Sequence, residues 1–123
     1  MILDSNIIIY SAVPENIHIR EYLKKNEKEL AVSAISKVEV LGYYKLTSDE
    51  RNTYEHFFQN INIFDVNSTI IERAVTLRQQ KKMSLGDSII AATALLHNHK
   101  LFTNNEEDFM DISGLEIMPM SSI

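Results

Sequence analysis

Apolar positions along the chain recur at two spacings, and the changes between them mark out its elements. Ile2-Leu3 is an apolar pair that runs straight into Asp4-Ser5-Asn6, after which Ile7, Ile8 and Ile9 resume the apolar character. The pair predicts a short first strand, and Ser5–Ala12 a helix that Pro14 ends, because proline lacks a backbone donor and clashes with the preceding turn. Glu15–Glu29 reads as a charged helix with Ile19, Tyr22 and Leu23 on one face, and Leu30–Ser33 as a second strand. From Ser36 a helix carries Val38, Leu41 and Lys45 at spacings of three and four, and Thr47-Ser48-Asp49-Glu50 opens another by a capping-box pattern. Ile61–Phe64 predicts a third strand with Ile61 and Ile63 on one side. Asn67 is placed to cap a helix bearing Ile70, Ile71, Ala74, Val75 and Leu77 as far as Gln80. Ser84-Leu85-Gly86-Asp87 starts the most apolar helix, Ser88–Asn98. Lys100–Thr103 is the fourth strand, Glu106–Met110 a short helical turn and Leu115–Met118 the fifth strand. Strands alternating with helices predict an α/β fold with a mainly parallel sheet covered on both faces, because parallel strands need crossover connections.

Composition narrows the class without naming a function. At 123 residues the chain is sized for a single domain, 1–123, able to bury roughly two-thirds of its unfolded surface. Hydrophobic content of 45% with 24% charged residues is that of an ordinary soluble globular protein. The absence of cysteine excludes disulfides, thiolate chemistry and thiolate-bound zinc, and fits a reducing cytoplasm. The charge-free run Ser88–Leu96 is far shorter than the roughly 18 apolar residues that span a bilayer, and no basic stretch precedes an apolar one as in a secretory signal. A net charge of −5 argues against broad non-specific nucleic-acid binding, which depends on excess Lys and Arg. It leaves room for a nucleic-acid enzyme whose acids are masked by bound cations.

The acids carry the candidate chemistry. In open parallel α/β sheets ligands bind outside the carboxyl ends of the strands. Asp4 ends the first strand, Glu39 lies six residues past the second, Asp87 opens the helix before the fourth, and Asn105 and Asp108 follow the fourth. Four segments therefore send acids or amides to one rim. Ser36-Lys37-Val38-Glu39 and Ser84-Leu85-Gly86-Asp87 equally match capping boxes, in which a first-turn acid gains a few tenths to about 1 kcal/mol. Asp4 is harder to explain that way: between Leu3 and Ile7 it is expected to be half-buried, and buried carboxylates need partners. Converging carboxylates raise one another's pKa unless a cation neutralises them, and all-oxygen donors select Mg²⁺ or Mn²⁺. Such an ion can activate water against phosphorus with no nucleophilic side chain.

These motifs resemble the PIN-domain family, and within it the VapC-type ribonucleases. Leu3-Asp4-Ser5-Asn6 resembles the family's opening L-D-[ST]-N. Glu39 lies in Ser33-Ala34-Ile35-Ser36-Lys37-Val38-Glu39-Val40, and Asp87-Ser88-Ile89-Ile90-Ala91-Ala92-Thr93-Ala94 is close to D-x-x-I-A-A-T-A. Thr103-Asn104-Asn105-Glu106-Glu107-Asp108-Phe109 is close to T-x-N-x-x-D-F. The resemblance implies a three-layer α/β/α fold with five strands and a Mg²⁺- or Mn²⁺-dependent endoribonuclease, the toxin of a toxin-antitoxin pair. Asp4, Glu39, Asp87 and Asp108 would be its catalytic carboxylates and, with Asn105, its metal ligands; many relatives carry Asp where Asn105 stands. Ser5, Asn6 and Thr103 would contact substrate or support the ligands, although Ser5 equally suits capping. RNA, an antitoxin covering the acidic rim and a homodimer are the implied partners.

Other readings of the residues remain open. An acid after the first strand also occurs in phosphatases with an Asp nucleophile, but their D-x-D pattern would need Asp where Asn6 stands. A PIN nuclease of RNA processing and a non-catalytic PIN binding module fit the same motifs. His97, His99 and Lys100 suit cations near a helix C-terminus better than a metal pair. Arg78, Lys81 and Lys82 suit RNA phosphates or a solvated helix end equally. Lys24, Lys25 and Lys28 lie among glutamates as a solvated face, and Tyr43-Tyr44 suits core or dimer packing ahead of base stacking.

Overall fold

Successive side chains of a strand point to opposite faces, so even a very short strand can serve two cores. The computed structural model describes residues 1–123, and its central strands β1 (Ile2–Leu3), β2 (Ala31–Ser33) and β4 (Leu101–Thr103) do this. Ile2, Ala31 and Leu101 join one hydrophobic core, and Leu3, Val32 and Phe102 the other. All six are at most 2% exposed. With β3 (Asn62–Phe64) and β5 (Ile117–Pro119) at the edges, the sheet has the order β3-β2-β1-β4-β5. Every pairing is parallel, in the register Ile2 to Ala31, Ile2 to Leu101 and Leu3 to Phe102.

Helices fill both faces. Helices α1 (Ser5–Ala12), α2 (Ile17–Lys25) and α4 (Ser48–Gln59) place Ile7, Ile8, Ile19, Leu23, Tyr54 and Phe58 against the Leu3 face. Helices α5 (Ser68–Gln80) and α6 (Leu85–Leu96) cover the Ile2 face with Ile70, Ala74, Leu77 and the Ile89–Ala92 stretch. The expected three-layer α/β/α fold is thus present. Helix α3 (Ile35–Leu41) lies at the carboxyl rim, and α7 (Glu106–Phe109) follows β4. Caps fall where the sequence put them: a full Thr47–Glu50 capping box opens α4, and the Asn67 side chain accepts from the Ile70 N–H at 2.9 Å.

Several boundaries differ from expectation. The charged segment Glu15–Glu29 is α2 flanked by two 3₁₀ turns, Pro14–Asn16 and Glu27–Glu29. Helix α3 begins at Ile35 and stops at Leu41, so Lys45 lies outside it and Ser36 sits inside the first turn, where it caps nothing. The second, third and fifth strands each begin later than the apolar runs suggest, at Ala31, Asn62 and Ile117. Tyr43 and Tyr44 are not core residues; they are 53% and 85% exposed and pack edge to face on each other at 5.4 Å. No helix is long and apolar enough to cross a membrane.

Candidate active site

The strand order places a switch point between β1 and β4: the chain moves outward through β2 and β3, then returns past β1 to β4 and β5. Crossover connections diverge there, which opens a crevice at the carboxyl ends of the two strands. Asp4 stands at the end of β1 and is 3% exposed. Its backbone N–H donates to the Phe102 carbonyl at 2.9 Å, which locks it to β4. Thr103, at the end of β4 and fully buried, donates its hydroxyl to Asp4 Oδ2 at 2.8 Å. That hydroxyl also accepts the Asn105 N–H at 2.9 Å, so one side chain organises both strand ends.

Glu39 reaches the same rim from α3 and is held from α1. Ser5 Oγ lies 2.8 Å from Glu39 Oε1 and 2.9 Å from Ser36 Oγ. A hydroxyl has one proton and an ionised carboxylate only accepts. Ser5 therefore donates to Glu39, and the buried Ser36 donates to Ser5. This assigns both serines: Ser5 is the first residue of α1 and not its cap, and Ser36 supports Glu39. The S-x-x-E spacing at Ser36–Glu39 had suggested a capping box, which concealed this role.

Asp87 enters from the first turn of α6, where the Ser84 side chain caps the Asp87 N–H at 3.1 Å. It is half-buried, and with Asp108, Lys82, Met83 and Ser84 it lines a cleft of about 510 Å³. A more apolar groove between α1, α2 and α4 contains none of the clustered acids.

Electrostatics tie the four acids together. Burial pushes the Asp4 carboxyl above its ordinary range; the Thr103 hydroxyl and the Ser5 N–H oppose this, and Glu39 and Asp108 add to it. Asp87 is pushed up to about 6, by burial first and then by Asp4, with smaller contributions from Asp108 and Glu39 against the Ser84 hydrogen bond. The molecule's ion pair, Lys100–Glu116, lies elsewhere on the surface.

An uncompensated cluster of oxygen donors is the chemistry a hard divalent cation fits. As the side chains stand, no three acidic or histidine groups converge closely enough to hold a metal ion together. Mg²⁺ is commonly held by few protein carboxylates while water and substrate phosphate complete the shell.

The remaining expected residues divide. Asn105 is exposed beside the cluster and its side chain caps no helix, whereas Asn6 is exposed on α1. Of the basic trio, Arg78 donates to the Met83 carbonyl at 3.3 Å and Lys81 to the Glu107 carbonyl at 3.4 Å. Both therefore staple the loop before α6, and Lys82 alone lines the acidic cleft. Lys24, Lys25 and Lys28 are solvent-exposed as expected. His97 stacks on Phe64 at 3.8 Å, away from the cluster. His99 Nδ1 lies 2.8 Å from the Met1 amino group, as an acceptor would, and burial lowers its pKa, so it is occupied with the N-terminus and not with the helix end the sequence suggested. Asn104 Oδ1, beside Thr103, is buried without a hydrogen-bond partner, and no sequence signal distinguished it.

The PIN domain family model matches residues 1–115. The chain belongs to the PIN-domain family. It is 27% identical over 121 residues to the tRNA(fMet)-specific endonuclease VapC of Shigella flexneri, covering 92% of each protein. It is 33% identical to a chain of a toxin-antitoxin complex from Klebsiella pneumoniae, with a TM-score of 0.73 over 93% of both chains. The fold also matches VapBC2 from Rickettsia felis bound to a promoter DNA fragment, with a TM-score of 0.83 and 22% identity over 96% of both.

The raised pKa of Asp87 has a testable sign. A carboxyl whose folded pKa lies above its unfolded value favours folding below the unfolded pKa, and that contribution is lost as pH rises through the folded value, here about 6. Asp87→Asn should therefore raise the Tm of the metal-free protein by a few degrees at pH 7.5, and by progressively less toward pH 4. Differential scanning calorimetry measures this, and an equal effect at all pH values would contradict the clustering of the carboxylates.

Proposed function

We propose that this protein is a Mg²⁺- or Mn²⁺-dependent endoribonuclease, the toxin of a VapBC-type pair, which acts in the cytoplasm and is held in check by a small antitoxin. The observation that supports the proposal is the mutual electrostatic influence of Asp4, Glu39, Asp87 and Asp108, carried by different segments to the carboxyl ends of the central strands. The VapC endonuclease and the toxin-antitoxin complex to which the chain is similar support it.

Asp4, Glu39 and Asp87 would hold the ion, with Asp108 and Asn105 as further candidate ligands. When bound, the ion supplies a water of lowered pKa and neutralises charge on a phosphodiester. The protein's own part is to fix the donors. Thr103 holds the Asp4 carboxylate by a buried hydrogen bond, and Ser36 and Ser5 hold Glu39 through a hydroxyl chain. Lys82, on the cleft with Asp87 and Asp108, offers a cation to a flanking RNA phosphate. Reacting groups held in position before the reaction contribute the larger share of such a rate enhancement.

Purified protein should cleave RNA in Mg²⁺ or Mn²⁺, lose cleavage on addition of EDTA and regain it when the metal is restored, as followed on denaturing gels. Cleavage that persists undiminished in EDTA would exclude the metal-dependent reading.

A further inference from the structure

Gly86 lies in the first turn of α6 with ordinary helical backbone, since Gly114 is the glycine with positive φ. Its conformation thus gives no reason for glycine, and alanine would favour the helix by up to about 1 kcal/mol. Local propensity therefore gives no account of glycine here, and the packing around it does. A methyl group at Gly86 would lie 2.8 Å from Glu39 Cδ and 3.1 Å from Oε1, with Oε2 closer still. Carbon atoms in good contact stand about 3.5–4.0 Å apart.

The Glu39 carboxylate is therefore seated between two elements. Ser5 Oγ holds it from α1 at 2.8 Å, and the bare Cα of Gly86 lets it close against α6 beside Asp87. We propose that Gly86 is a positioning residue: the missing side chain sets where the Glu39 carboxylate lies relative to Asp87 and Asp4. The part of this inference that concerns ion binding rests on the metal-site reading above.

Glu39 is exposed at the end of a flexible side chain, so a methyl group at position 86 is relieved by rotating the carboxylate outward. The fold then loses little while Glu39 loses its seat and its Ser5 hydrogen bond. Supports of metal ligands commonly contribute 10–100-fold to affinity.

The test is Mn²⁺ titration by calorimetry on the parent, Gly86→Ala, Glu39→Gln and the double variant, with the Tm of each. Gly86→Ala should weaken Mn²⁺ binding about tenfold or more without lowering the Tm, and should cost nothing further in the Glu39→Gln background. Parent-like affinity, a loss that adds fully to that of Glu39→Gln, or failure to fold would each overturn the proposal. A crystal structure of metal-free Gly86→Ala gives a readout independent of the ion. Glu39 displaced from Ser5 supports the positioning role even if the parent binds no Mn²⁺, in which case the metal reading alone fails. Glu39 unmoved overturns the positioning role.

Discussion

Asp4→Asn should reduce RNA cleavage by about a thousandfold or more while leaving the protein folded. The side chain keeps its shape, and an amide oxygen still accepts the Thr103 hydroxyl that now reaches Asp4 Oδ2 at 2.8 Å. What disappears is one negative charge at the centre of the cluster. A catalytic ion is worth several kcal/mol of transition-state stabilisation, which loss of a ligand carboxylate would forfeit, and each 1.36 kcal/mol is tenfold in rate. The effect on stability has the opposite direction. Burial and the neighbouring acids hold the Asp4 pKa above its ordinary value, so its charge opposes folding at neutral pH. The variant's Tm should equal or exceed that of the metal-free parent. Cleavage at the parent's rate would show that the chemistry lies elsewhere, and an unfolded variant would assign Asp4 a structural role.

Phe102→Ala should cost about 3–5 kcal/mol, a large part of the 5–15 kcal/mol that stabilises a typical domain. Phe102 is fully buried on β4, pairs with Leu3 and packs edge to face on Tyr22 at 5.7 Å. Its strand also carries Thr103, so a cavity there loosens the support of Asp4. The expected fall in Tm is roughly 10–20 °C for a chain of this size, read by circular dichroism, and Phe102→Leu should recover much of it. A fall of only a few degrees would mean that β4 is not clamped by its core.

Much of this arrangement was legible in the chain itself. Ile2-Leu3-Asp4 announced a buried strand ending on an acid, because two apolar residues followed by a carboxylate have little other use at a sheet edge. The helix period placed Asp87 in an opening turn and Glu39 within the first two turns of its helix, and strand-helix alternation required a parallel sheet whose carboxyl rim collects such helix starts. Boundaries were less legible, since very short strands are set by pairing with neighbours and not by their own apolar length. Leu30 and Ile61 are apolar and packed in the core, yet they lie outside the ladder. The same limit applied to Tyr43-Tyr44, whose aromatic character says nothing of whether α3 stops before them.

The sequence by itself determined which residues carry charge, where helices open and which positions are apolar on a 2.0 or 3.6 period, because these depend on neighbours along the chain. Contacts across the chain were decided by the tertiary structure. It made Thr103 the donor to Asp4, converted an apparent cap at Ser36 into a support for Glu39, diverted Arg78 and Lys81 from substrate to loop, and pressed Glu39 against Gly86. Each depends on two segments from 26 to 99 positions apart, or on a loop turning back on itself, as at Arg78. Only packing of the two cores on one sheet brings such groups within the 3 Å at which a hydrogen bond or a missing methyl group has its effect.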